Sequence, residues 1–277
     1  MNARSILITG CSSGIGYDAA HALHKRGWQV FASCRAQADC DRLAREGLTA
    51  PRLDLTDAAS IHTALEQVLD ATGGRLDALF NNGAFGLPGA AEDLPTDALR
   101  SIFETNFFGW HELTRAVIPV MRAQGHGRIV QNSSVLGLVA MRWRAAYVAT
   151  KFALEGYSDT LRIELADADI HVILIEPGPI TTDIRIKSRP HFERWINWRA
   201  SPHRARYEAS LLKRLYDEKP GPDPFELPAS AVTAKLIRAL EARRPRPRYY
   251  VTAPTYIAGI ARRLLSTRMQ DRILGRL

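Results

Sequence analysis

The sequence predicts an α/β fold: a single domain built on a Rossmann-type, doubly wound parallel sheet of about seven strands, with helices on both faces. Three observations predict it. Short apolar runs alternate with longer stretches of helical periodicity. The first run passes through a glycine-rich turn directly into a helix. The chain has 277 residues, 46% hydrophobic and 24% charged, which suits one large core that is stable without disulfides or a structural metal.

The elements follow in order. Residues 5–9 read as the first strand and 14–26 as a helix that Gly27 stops. Residues 29–33 form a second strand and 49–54 a third, with a helix around 41–46 between them. Residues 78–82 make a fourth strand, followed by a long helix over about 97–123. Residues 128–133, 171–176 and 248–251 supply the fifth, sixth and seventh strands, with a helix over 147–166. Between 181 and 228 the alternation stops in a segment rich in Arg, Pro and aromatics, which predicts a long irregular stretch that is functional or mobile. Residues 1–254 are thus expected to form the domain, with 183–228 inserted as a substrate lid. Residues 255–277 read as a basic helical tail.

The net charge of +8 comes largely from arginines late in the chain. Such clusters suit phosphates of nucleic acid, an anionic membrane or plain solvation. Solvation is favoured, because no nucleic-acid module is recognisable. Cys11, Cys34 and Cys40 show neither disulfide nor zinc spacing, so reduced thiols in the cytoplasm are expected. The N-terminus lacks a signal-peptide layout, and no apolar run approaches the roughly 20 residues of a membrane span. His191 and His203 have no carboxylate or cysteine pattern around them, so no metal is expected.

Gly10-Cys11-Ser12-Ser13-Gly14-Ile15-Gly16 lies between the first strand and its helix. A dinucleotide pyrophosphate needs backbone amides aimed at it and the positive end of a helix dipole. Glycines allow that close approach, so Gly10, Ser12, Ser13, Gly14, Ile15 and Gly16 are candidate cofactor contacts. The second strand ends Ser33-Cys34-Arg35 with no acid, whereas an NAD site places a carboxylate there to accept from the ribose. Arg35 and Ser33 instead suit a 2′-phosphate, which predicts NADP(H).

Further motifs recur in order: Asp54-Leu55, Asn81-Asn82-Gly83-Ala84, Thr105-Asn106-Phe107, Ser133-Ser134, Tyr147-x-x-x-Lys151 and Glu176-Pro177-Gly178-Pro179-Ile180-Thr181-Thr182. With the T-G-x-x-x-G-I-G loop, this series resembles the classical short-chain dehydrogenase/reductase family across residues 5–183. The resemblance implies that Asp54 and Leu55 contact adenine, and that Asn82, Gly83 and Ala84 line the cofactor. It implies that Pro177, Gly178, Ile180 and Thr182 bind the nicotinamide carboxamide. The implied catalytic set is Asn106, Ser134, Tyr147 and Lys151, with Ser133 the alternative serine. Asn106 would hold a proton-relay water, and Lys151 the nicotinamide ribose.

Chemistry explains these residue types. Tyr147 and Lys151 are one helical turn apart and share a face. A free tyrosine titrates near pH 10, and a nearby ammonium together with the positive charge of the oxidised nicotinamide is expected to favour phenolate. In carbonyl reduction Tyr147 donates a proton to the developing alkoxide, while Ser134 orients that oxygen. Val139, Met141 and Trp143, with the lid aromatics, favour an apolar substrate. The chain looks similar to hydroxysteroid, retinoid and aliphatic-aldehyde reductases, which implies reduction of a lipophilic ketone or aldehyde, or oxidation of the alcohol. The resemblance also implies a homodimer or homotetramer. The tail is suited either to peripheral membrane contact or to packing on protein. The competing readings are a non-catalytic NADP-sensing regulator on the same fold and a nucleic-acid binder.

Overall fold

The structure is a computed structural model that describes residues 3–218 and 221–275. Residues 1–2 of the expected domain, 219–220 of the expected lid and 276–277 of the expected tail lie outside the described residues. Six parallel strands are present among the described residues: β1 Ser5–Ile8, β2 Gln29–Ala32, β3 Ala78–Asn81, β4 Gly127–Asn132, β5 Ile170–Glu176 and β6 Arg248–Tyr250. Their spatial order is β2-β1-β3-β4-β5-β6. The order reverses between β1 and β3, so a crevice opens beyond their carboxyl ends, where doubly wound sheets bind ligands.

The strand expected at residues 49–54 is reduced to two isolated parallel bridges, Phe31 with Thr49 and Cys34 with Arg52. Between those bridges lies Pro51, which has no N–H to donate to a ladder, and the segment runs along the sheet's edge. Here the structure corrects the sequence reading: the edge is present, the regular strand is not.

The helices are α1 Gly14–Lys25, α2 Gln37–Arg45, α3 Ala58–Thr72, α4 Thr96–Phe103, α5 Gly109–Gln124 and α6 Ala145–Glu164, then α7 Ile184–Trp195. After them come the short α8 Arg204–Arg206 and α9 Leu212–Leu215, then α10 Ala229–Glu241, α11 Ala253–Leu264 and α12 Thr267–Leu274. Local chemistry sets several ends. The Asp57 carboxylate accepts from the amides of Ala59 and Ser60 to cap α3, and Gly73, at φ 66°, ends it in the left-handed region.

Successive strand residues serve opposite faces. Ile6 and Ile8 pack with Ala19, Leu23, Val232 and Leu236 of α1 and α10, whereas Leu7 packs with Ile61, Leu113 and Leu154 of α3, α5 and α6. A third cluster joins Leu87, Ala98 and Ile102 to Phe192, Ile196, Tyr207, Leu211 and Leu215. That cluster explains the second correction. Residues 184–215 are largely helical, because Tyr207, Leu211 and Leu215 recur every fourth residue and bury one stripe. Pro190 and the many arginines conceal this periodicity in the sequence.

Candidate active site

β1 delivers the chain into the glycine loop with no room for side chains. Gly10 has φ 72°, and a Cβ there would stand 2.5 Å from Gly83 Cα. A Cβ on Gly16 would enter the Gly10 carbonyl and the Asn82 amide. Gly14, at φ 60°, begins α1 beside Thr182. Ser13 precedes α1 without a side-chain capping bond. The first turn thus keeps amides and a positive dipole end for an anion, and this cradle fits a dinucleotide pyrophosphate. Ile15 anchors the loop by packing on the core, and the Ser12 carbonyl accepts from Arg42 Nη2 at 2.8 Å.

At the end of β2, Arg35 is exposed. Ser33 is not: it is buried, and its hydroxyl donates to the Ile8 carbonyl at 3.0 Å. The hydroxyl proton is therefore committed inward, contrary to the sequence expectation of a bond to phosphate. The Asp54 carboxylate takes hydrogen bonds from the Thr56 amide and hydroxyl at 3.0 and 2.8 Å. Leu55 lies beneath Gly83, its Cδ1 3.1 Å from where a Cβ would stand, and Ala84 packs in the same cluster.

A continuous set of hydrogen bonds ties the loop to α6. The Thr9 hydroxyl accepts from the amides of Asn82 and Gly83 at 2.8 and 2.9 Å. Asn82 Nδ2 donates to the Thr9 carbonyl at 2.9 Å, and Asn132 Nδ2 donates to Asn82 Oδ1 at 2.8 Å. Lys151 Nζ donates to the Asn132 carbonyl at 2.7 Å. Trp110 donates Nε1–H to the Gly83 carbonyl at 2.7 Å, and its ring lies 4.4 Å from Lys151 Nζ. Sequence reasoning missed Asn132 and Trp110. Trp110 was findable, four residues beyond Asn106 within the helix expected over 97–123. Asn132 holds Lys151 through a backbone carbonyl, which leaves no residue-type signal.

The two adjacent serines diverge. Ser133 is buried and donates to Glu155 Oε1 at 2.5 Å, whereas Ser134 stands beside Tyr147 and draws the phenol's pKa down. Ser134 Oγ also accepts from the Leu136 amide at 3.1 Å. Burial pushes the Tyr147 phenol up to about 12, against the pull of Ser134 and Arg144. Burial also pushes Lys151 down to about 7, with Glu155 partly restoring it. The phenol thus moves opposite to the expected direction. The lysine meant to favour phenolate is itself desolvated, so its charge is weakened.

Asn106 is fully buried in a π-type turn, Glu104–Phe108, that joins α4 to α5. Its amide pairs reciprocally with the Phe85 backbone, accepting at 3.1 Å and donating at 2.9 Å. The Pro177 carbonyl accepts from the Val135 amide at 2.7 Å, which fixes the segment after β5 against the serine loop. Gly178 fits closely against Thr252, Ile180 bridges to Leu227, and Thr182 abuts Gly14. Of the expected substrate residues, Val139 is buried and Met141 is exposed. Trp143, at φ 66°, packs on Tyr207 with ring centroids 4.5 Å apart. Met141 and Trp143 line a cavity of about 300 Å³ with Gly89, Ala90, His203 and Arg206.

The phenol and the amine share α6 beside the Ser134 loop, and hydrogen bonds link the amine to the glycine loop, an arrangement suited to proton transfer. Residues 4–192 match the short chain dehydrogenase family. The chain belongs to that family. This short-chain dehydrogenase is 38% identical over 276 residues to YbbO of Escherichia coli K12, an uncharacterised oxidoreductase, covering 98% of this chain and 94% of the relative. It is 38% identical over 194 residues to human retinol dehydrogenase 8, covering 66% and 61%. Among solved structures, a short chain dehydrogenase/reductase from Burkholderia phymatum in complex with NAD superposes with a TM-score of 0.77 at 25% identity, covering 100% of this chain and 96% of the other. The short-chain dehydrogenase fold therefore extends through α7–α12.

Proposed function

We propose that the chain reduces a lipophilic ketone or aldehyde with NADP(H), with Tyr147 as the proton donor. The observation that carries this reading is Tyr147 with Lys151 Nζ 5.4 Å from its ring centroid, the lysine being linked through Asn132 and Asn82 to the glycine loop. When bound, NADPH supplies the hydride. Tyr147, a neutral phenol at physiological pH, gives its proton to the carbonyl oxygen as that oxygen gains charge. Ser134 hydrogen-bonds the same oxygen and orients it. Lys151 holds the nicotinamide ribose, and Asn106 keeps the relay end of the site in register through Phe85.

Gly10, Ser12, Ser13, Gly14, Ile15 and Gly16 cradle the pyrophosphate in this reading, and Arg35 pairs with the 2′-phosphate. Asp54 and Leu55 bound the adenine; Asn82, Gly83, Ala84, Pro177, Gly178, Ile180 and Thr182 bound the rest of the dinucleotide. Residues 1–254 act as the catalytic domain with 183–228 as its lid, and 255–277 as a tail suited to an anionic membrane. Three unpaired, buried thiols support a cytoplasmic setting, and a homodimer or homotetramer is the assembly we infer.

The lipophilic substrate class is supported by the apolar lid cluster, by Met141 and Trp143 and by the retinol dehydrogenase relative. NADPH oxidation against steroids, retinal, medium-chain aldehydes and sugars tests it. Turnover of the lipophilic carbonyls is expected. Activity confined to sugars, or NADH used in preference to NADPH, overturns the substrate or cofactor assignment respectively.

A further inference from the structure

α7 crosses the mouth of the cofactor crevice. Its Ser188 stands against Gly86, its His191 stacks on Phe85 with centroids 3.9 Å apart, and its Lys187 reaches the glycine loop. Lys187 Nζ donates to Ser13 Oγ at 2.5 Å and lies 3.5 Å from Ser12 Oγ. Ser13 is the residue that opens α1, so this ammonium is parked at the positive end of a helix dipole. Other cations are close. Arg42 donates to the Ser12 carbonyl, but its charge is answered by Asp39 and Glu46. Burial, then the charges of Arg35 and Arg194, push the His191 pKa down. Among the described residues Lys187 has no carboxylate within ion-pair distance; its hydrogen-bond partners are the two loop serines.

An ammonium at a helix N-terminus is electrostatically unfavourable unless an anion completes the arrangement. We propose that Lys187 is a lid-borne clasp for a phosphate of the bound dinucleotide, closing over the glycine loop from α7 and sharing that anion with the amides of α1. The assignment rests on the dinucleotide reading above. It makes the lid a cofactor-binding element as well as a cover for the substrate.

The test is a fluorescence titration of wild type, Lys187→Ala and Lys187→Arg with NADPH and with NADH, at low and high salt. Removing one charge-assisted bond to phosphate is expected to weaken binding about tenfold. Lys187→Arg should retain most of the affinity, and the gap between wild type and Lys187→Ala should narrow at high salt. A loss for NADPH alone assigns the clasp to the 2′-phosphate. A loss for both assigns it to the pyrophosphate. Equal affinity of Lys187→Ala and wild type for both dinucleotides, with unchanged salt dependence, overturns the clasp while leaving the cofactor assignment intact. A wild-type protein that binds neither dinucleotide overturns both.

Discussion

Lys151 sits under opposing demands. Its ammonium is fully buried, with a carbonyl and two aromatic rings in place of water. Those partners compensate incompletely, so burial lowers its pKa to about 7. The sign of the stability effect follows. The unfolded lysine stays protonated to about pH 10.4, whereas the folded one releases its proton near pH 7. Below pH 7 the whole desolvation penalty is present, and it shrinks as pH rises towards 10. Denaturant unfolding of wild type and Lys151→Met between pH 6.5 and 9.5 should therefore give a difference that favours wild type increasingly, by up to about 1 kcal/mol per pH unit. A difference independent of pH would mean that the buried amine does not titrate there. The spacing of Tyr147 and Lys151 was legible in the sequence, because i and i+4 always share a helix face. Their protonation was not, because burial comes from Trp110 and from cover supplied by distant segments. Ser33 carries the same lesson: its position is set by β2, and its hydroxyl by an adjacent strand.

Elements were legible where one local rule dominates. The glycine loop, α1 and α6 follow from tight turns and apolar periodicity, and β1 to β6 match the runs expected for them. Two features escaped because their cause is tertiary. Residues 49–54 lose a regular ladder at Pro51, and the helices between β5 and α10 bury their apolar stripe against Leu87 and Ile102. The expected long helix over 97–123 is interrupted at Asn106 by the π-type turn, a feature with no compositional mark. The C-terminal helices raise a separate issue. Ile257, Ile260 and Leu264 of α11 are 63%, 59% and 77% exposed, and Arg263, Arg268 and Arg272 are exposed nearby. Arg262 donates to the Gly137 carbonyl at 3.2 Å and Arg142 to that of Gly275 at 3.0 Å, so the opposite side of α11 borders the serine loop. Apolar residues among arginines suit an anionic bilayer. Flotation with phosphatidylserine vesicles is expected for wild type, and Ile260→Glu with Leu264→Glu should reduce it about tenfold. Equal flotation of both, or of neither, would contradict membrane contact through this face.

At the scale of the whole molecule, the sheet order decides where chemistry can occur. The reversal between β1 and β3 opens one crevice. β1, β3, β4 and β5 each end beside it with a motif residue: Gly10, Asn82, Ser134 and Pro177. No helix among the described residues is long and apolar enough to cross a membrane. The crevice is bounded by α7 above and by α6 at the side, so a bound dinucleotide and Tyr147 would share one enclosure. The decisive measurement pairs NADPH titration with single-turnover NADPH oxidation on a lipophilic carbonyl, for wild type and Tyr147→Phe. Proton donation by the phenol predicts near-equal NADPH affinity and a loss of turnover of about a hundredfold or more in the variant. Undiminished turnover by Tyr147→Phe would contradict it.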